Sequence, residues 1–207
     1  MRIERRRRAR ENAALSPPKR RRTIVDRDVT ILIKTLERPK CLKGLIRSIR
    51  KYYPFVKIIV GDDSKNPKKL KMSNVEHVIF PYDIGHAEGR NRLLELVKTK
   101  YFLNLDDDWL FTQYTKLEVL HFLLEKMPDV DIVGGDFFPI PNMVHRSIYY
   151  GVMDFTDGVL TFEHGERDCG EVNGVKYHHH DIIPSFFMAR TGSIRDVMWD
   201  GEIKTGG

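Results

Sequence analysis

The feature that most constrains the fold is a set of short, almost unbroken apolar runs separated by segments of helical period. Val29-Thr30-Ile31-Leu32-Ile33, within a run from Asp28 to Thr35, has no alternation of apolar and polar positions. Such a run needs cover on both faces, which a parallel sheet flanked by helices supplies. Pro39 then opens a helix whose stripe is Leu42, Leu45, Ile46, Ile49 and Tyr53, Pro being favoured at the first helical position. Further strands are predicted at Val56–Val60, Val75–Phe80, Tyr101–Leu105 and Asp131–Asp136. Between them, the loop Asp83–Asn91 leads into a helix carrying Leu93, Leu94 and Val97. An amphipathic helix, Gln113–Met127, is marked by Tyr114, Leu117, Leu120 and Leu124. His121 falls among those positions and reads as a core or boundary histidine. The alternation specifies an α/β fold with a mostly parallel central sheet flanked by helices.

From Pro139 onward the pattern loosens. Val144–Met153 and Val159–Glu163 read as a hairpin turning through Asp154, Asp157 and Gly158, and Ile182–Thr191 as a strand running into a short helix over 192–197. Cys41 and Cys169 have neither disulfide-framework nor CxxC zinc spacing, so both are expected as buried free thiols.

The formal charge of +6 suggests a polyanion partner until its distribution is considered. Residues 1–22 hold ten Lys or Arg and two Glu, a net +8, which leaves −2 for the rest. Residues 1–27 are expected to be a disordered basic arm, because they offer too little apolar surface to offset the entropy of ordering. Residues 28–207 are expected to form a single domain, whose slightly acidic balance and lack of a recognised nucleic-acid motif argue against nucleic-acid binding by the folded part. No signal peptide is recognisable, and no apolar stretch reaches the roughly 18 residues that a membrane span requires.

The run Asn104-Leu105-Asp106-Asp107-Asp108-Trp109 places three consecutive carboxylates at the end of a predicted strand. A solvated turn could hold them apart. The C-terminal edge of an open α/β sheet is also where ligands bind, and hard oxygen donors there suit Mg²⁺ or Mn²⁺ with a diphosphate.

Taken together, VTILIKTLERPKCLKGLIRSIRKYYP, VGDDS, VEHVIFPYDIGHAEGRN, TKYFLNLDDDWLFT, DVDIVGGDF and SFFMARTGSIRDV resemble the GT-A type glycosyltransferases, and among them the β-1,4-N-acetylgalactosaminyltransferases of ganglioside-type glycans. The resemblance implies a nucleotide-sugar-binding fold and metal-dependent, inverting transfer of an N-acetylhexosamine from a UDP-sugar to a glycan hydroxyl on a glycolipid or glycoprotein. It implies that Asp62 or Asp63 faces the uracil or ribose, and that Gly89, Arg90 and Asn91 frame the nucleotide-sugar. Asp106 and Asp108 become the acids of an Asp-x-Asp signature for Mn²⁺ or Mg²⁺, with Asp108 the direct ligand and Asp107 turned to the other face. A Golgi location is implied as well.

The same resemblance exposes departures. The family's catalytic base would follow Trp199-Asp200, close to the last residue of this chain, so the C-terminal part of the domain is expected to be missing; Glu202 is a weak stand-in for the base. His178-His179-His180 precedes a strand, which favours an exposed or acceptor-side place over the metal shell. The rival reading is a noncatalytic nucleotide-sugar or glycan-binding module.

Overall fold

The computed structural model describes residues 21–139 and 150–204. Helix α1, Ile24–Asp28, opens the described chain, followed by β1, Val29–Thr35, α2, Pro39–Tyr52, and β2, Lys57–Asp62. Then come β3, Val75–Ile79, α3, His86–Glu95, β4, Tyr101–Asp106, α4, Leu117–Lys126, and β5, Ile132–Gly134. Two hairpins follow, β6, Gly151–Thr156, with β7, Val159–His164, and β8, Asp168–Val172, with β9, Val175–His179. The chain returns as β10, Phe187–Arg190, and α5, Thr191–Val197.

Six strands make the central sheet in the order β3-β2-β1-β4-β10-β5. The first four are parallel, and β10 runs antiparallel to both β4 and β5. Every residue of β1 is buried, as an uninterrupted apolar run in the middle of a covered sheet requires. Val29, Ile31 and Ile33 pack with α2 and α4 on one face, while Leu32, Ile59 and Phe102 pack with Leu93 and Leu94 on the other. Each Leu or Ile so buried contributes about 1.5–3 kcal/mol relative to exposure. The α2 stripe Leu42, Leu45, Ile46, Ile49 and Tyr53 is buried as its spacing predicts.

The register brings the site together. Thr35 pairs with Asp62, and Lys34 with both Gly61 and Asp106, so the C-terminal ends of β1, β2 and β4 lie at one edge. Because β10 runs against β4 with Phe187 opposite Asn104, the residue two before Phe187 falls beside Asp106. Ser185 is that residue, and its hydroxyl donates to the Asp106 carboxylate.

Several sequence expectations need correction. The arm does not extend to residue 27: Thr23 caps α1 in a capping box with Asp26, and Val25 is fully buried. The expected disorder of residues 1–20 lies outside the described residues. The helix expected from Gln113 starts at Leu117, where the Tyr53 hydroxyl accepts from the Leu117 N–H at 2.9 Å. Tyr114 belongs to the preceding turn and is exposed. The first hairpin forms over Gly151–Thr156 and Val159–His164; the expected residues 144–149 lie outside those described. The strand expected from Ile182 is ordered into the sheet only from Phe187. Both cysteines are free but exposed, not buried. His121 is buried as expected, its Nε2 3.1 Å from Asp28 Oδ2.

Candidate functional site

At the C-terminal edge of β1, β2 and β4 lies a cleft of about 460 Å³. Its floor and walls carry five carboxylates, Asp63, Asp83, Asp106, Asp107 and Asp108, and the basic groups Lys34, Arg38, His86 and Lys204.

Asp62 and Asp63 are adjacent but differ in what they leave available. Asp62 Oδ1 accepts from the Ser64 N–H at 3.0 Å, and its Oδ2 lies 3.1 Å from His77 Nε2. The Leu70 N–H donates to His77 Nδ1 at 2.9 Å, so the ring proton sits on Nε2 and is given to Asp62. Both Asp62 oxygens are thus engaged, and Asp62 does not line the cleft. Asp63 does line it. Its side chain is 0% exposed, Oδ1 is ion-paired with Lys34 Nζ, and Oδ2 has no hydrogen-bond partner. A buried carboxylate oxygen without a donor is costly.

Lys34 is the only charged residue in the fully buried β1. It reaches Asp63 by crossing Gly89 of α3, where an added Cβ would lie 2.3 Å from Lys34 Cε and 2.7 Å from Cδ. Gly89, Arg90 and Asn91 therefore sit within a helix and behind the cleft, rather than in a loop that lines it. Arg90 Nη2 donates to Asp106 Oδ1 at 3.1 Å. Asn91 forms a reciprocal pair with the Trp199 backbone, donating to its carbonyl at 2.8 Å and accepting from its N–H at 2.9 Å. These contacts tie the segment after α5 back to α3, and the His86 N–H donates to the Lys204 carbonyl at 3.1 Å.

Within the triplet, Asp107 turns inward. Its side chain is 3% exposed and accepts from the Thr35 hydroxyl at 2.6 Å. Burial raises its carboxyl above the ordinary range, opposed by Thr35 and Arg38. Arg38 Nη1 is 2.9 Å from Asp107 Oδ1, but out of line for a hydrogen bond, so this contact is Coulombic. Its Nη2 donates to Asp108 Oδ2 at 2.8 Å. Arg38 occupies the N-cap position of α2 without capping it, which leaves its guanidinium to the acids. The preceding Glu37, at φ 55°, is held there by Ser64 and Lys65: its N–H donates to Ser64 Oγ and its carboxylate accepts from Lys65 N–H, each at 2.7 Å. Asp106 and Asp108 are the more open acids, 32% and 52% exposed. Burial, with the Arg90 charge added, lowers the His86 imidazole below its ordinary range.

Asp106 and Asp108 fit a divalent cation by donor type and exposure. Among the described residues the triplet does not bring three ligand atoms into one cluster, so a cation there would draw the rest of its shell from a diphosphate and water, as Mg²⁺ commonly does. Glu202 is exposed, does not line the cleft, and its N–H donates to Asp200 Oδ1 at 3.0 Å.

Lys34, Thr35, Arg38, His77 and Ser185 escaped the sequence reading. Lys34 alone carried a signal, since a lysine in a strand covered on both faces must find a carboxylate.

The profile of glycosyl transferase family 2 matches residues 30–197. Mouse β-1,4 N-acetylgalactosaminyltransferase 1 is 37% identical over 187 residues, covering 84% of this chain and 33% of that protein. Mouse β-1,4 N-acetylgalactosaminyltransferase 2 is 50% identical over 107 residues, covering 52% of this chain and 21% of that protein. The chain thus spans about a third or less of the length of these curated relatives. Among solved structures, TarS of S. aureus (residues 1–349) superposes with a TM-score of 0.58 at 16% identity, over 86% of this chain and 52% of that one. TarS has also been solved with UDP and with UDP-GlcNAc.

Proposed function

Because the chain belongs to glycosyl transferase family 2 and has a GT-A type fold, we propose that its cleft binds a UDP-sugar for transfer of an N-acetylhexosamine, with inversion, to a hydroxyl of a glycolipid or glycoprotein glycan. The observation that carries this reading is the buried, unpartnered Oδ2 of Asp63, a residue that lines the cleft. It is an acceptor in want of a donor, which the imide N–H of uracil or a ribose hydroxyl supplies. Asp63, rather than Asp62, is then the nucleotide-facing acid.

Asp106 and Asp108 would hold Mn²⁺ or Mg²⁺, whose chemistry is to neutralise charge on the diphosphate leaving group. Lys34 fixes the orientation of Asp63. Gly89 gives Lys34 its path, and Arg90 with Ser185 orients Asp106. Arg38 and Lys204 place positive charge where a diphosphate would enter. The relatives' names support an N-acetylhexosamine, and a Golgi location follows if the chain works as they do. Among the described residues no helix is long and apolar enough to cross a membrane.

A second reading, donor binding without transfer, draws on one observation: each carboxylate of the cleft faces a cation in the chain, Asp63 with Lys34, Asp83 with Lys204, Asp106 with Arg90, and Asp107 and Asp108 with Arg38. Such pairing makes a carboxylate a weaker base toward an acceptor hydroxyl. Calorimetry with UDP and Mn²⁺, repeated with chelator, tests the donor reading. Binding is expected to need both Mn²⁺ and Asp63, and unchanged affinity with chelator or in Asp63→Asn overturns it. Release of free sugar or transfer to galactose-terminated acceptors then separates an enzyme from a binding module.

A further inference from the structure

The β8–β9 hairpin lies outside the central sheet, and none of its residues is buried. A two-stranded hairpin without an apolar face is marginally stable in water. Its tip is well made: Asn173 and Gly174 take φ 49° and 84°, the conformation a tight two-residue hairpin turn requires. The open end has no comparable apolar support. There Cys169 pairs directly across the strands with His178, which puts their side chains on one face. Glu166, just before β8, sets its carboxylate against His178 Nδ1. Ligand atoms of Glu166, Cys169 and His178 all lie within 4.8 Å of one another, and all three residues are exposed.

A thiolate, an imidazole and a carboxylate are a ligand set for zinc rather than for Mg²⁺ or Mn²⁺. Ligands around a tetrahedral Zn²⁺ stand about 3.5 Å apart, so within this group, whose ligand atoms already lie inside 4.8 Å, the direct Glu166–His178 contact opens to admit the ion. We propose that Glu166, Cys169 and His178 bind Zn²⁺, with water in the fourth position, and that the ion clips the open end of the hairpin. Binding replaces the thiol proton of Cys169 by the metal and releases that proton to solvent. This site is separate from the cleft, since none of the three residues lines it. A second group of comparable spacing, Asp28, His121 and Glu125, is already satisfied internally: Asp28 pairs with Arg27 and His121, and Glu125 accepts from Lys100 and Tyr101.

The test uses the full 207-residue chain, reduced and stripped of metal, in excess Mg²⁺ to occupy the oxygen-rich cleft. Titration with Co²⁺ is expected to give a thiolate-to-metal charge-transfer band that saturates at one equivalent and disappears when Zn²⁺ is added. The band is lost in Cys169→Ser and retained in Cys41→Ser, and affinity falls at least about tenfold in His178→Ala and in Glu166→Gln. Metal-free melting temperatures should match the parent, because all three side chains are exposed. Should a variant fail to fold, iodoacetamide labelling of the parent decides the matter: Zn²⁺ is expected to slow alkylation of Cys169 but not of Cys41. A Co²⁺ spectrum without the thiolate band, a band that survives Cys169→Ser, or equal labelling of Cys169 with and without Zn²⁺ overturns the proposal.

Discussion

Replacing Gly89 by alanine should destabilise this protein although it improves the helix. In an unobstructed helix interior the change gains about 1 kcal/mol. Here the new Cβ would sit 2.3 Å from Lys34 Cε and 2.7 Å from Cδ. A free lysine would swing aside, but Lys34 is confined, its side chain 6% exposed and its ammonium held by Asp63. Moving it away leaves the Asp63 carboxylate buried and unpaired. Breaking a buried ion pair from one side costs about 3–5 kcal/mol. Against the helix gain, the net loss is about 2–4 kcal/mol. Urea unfolding of the parent, Gly89→Ala, Asp63→Asn and the double variant measures it. The single variant should lose that amount, and much of the loss should vanish in the Asp63→Asn background, where displacing Lys34 no longer breaks an ion pair or strands a carboxylate. If Gly89→Ala is neutral or stabilising alone, Lys34 is free to move and the chain of support from Gly89 to Asp63 is wrong.

Asp108→Asn should reduce Mn²⁺-dependent UDP affinity with little effect on melting, whereas Asp107→Asn should lower stability more than affinity, because Asp107 is the buried partner of Thr35; calorimetry and melting curves compare them. Asn91→Ala breaks both hydrogen bonds to Trp199, each worth about 1 kcal/mol, and should raise proteolytic cleavage in residues 199–204 before it affects the sheet. Asp28 is held down to about 2, chiefly by its hydrogen bond from Arg27, against the effect of burial and with help from His121. A depressed carboxylate contributes stability above its unfolded value of about 3.9, lost as pH falls toward 2. The stability difference between the parent and Asp28→Asn should therefore shrink from pH 5 to pH 2, and a constant difference in urea unfolding across that range would contradict the assignment.

The sheet was legible because its evidence is local. Unbroken runs such as Val29–Ile33 require two-sided cover, and stripes such as Leu42, Leu45, Ile46 and Ile49 show which helix faces supply it. Where local signals compete, boundaries slipped: Gln113 reads as helix, but Thr112 and Thr115 form a turn, the Thr112 N–H donating to Thr115 Oγ1 at 3.0 Å. The β8–β9 hairpin was missed although Val172-Asn173-Gly174-Val175 carries a strong turn signal, because the flanking residues are polar and show no alternation. Cys41 and Cys169 were misplaced for a related reason. Thiols are often buried, but neither cysteine belongs to an apolar face that would carry it inside.

The acidic triplet was conspicuous in the sequence, but its partners were not, because they come from segments as much as 79 residues away in the chain. Three carboxylates in succession cannot share one environment at a strand end. The pleat sends Asp107 inward to Thr35, and it leaves Asp106 and Asp108 outward, where Arg90 and Arg38 meet them. The basic residues do not merely balance the acids. Arg38 and Lys204 reach the cleft on flexible stems and can pair either with carboxylates or with a diphosphate, whereas Lys34 and Arg90 are buried and cannot exchange partners. A ligand that brings its own phosphates and a cation can therefore take over the outer pairs while the inner ones keep Asp63 and Asp106 in place. Under the proposed function, that division between fixed and exchangeable charge would let a site this acidic accept a diphosphate without unfolding its own floor.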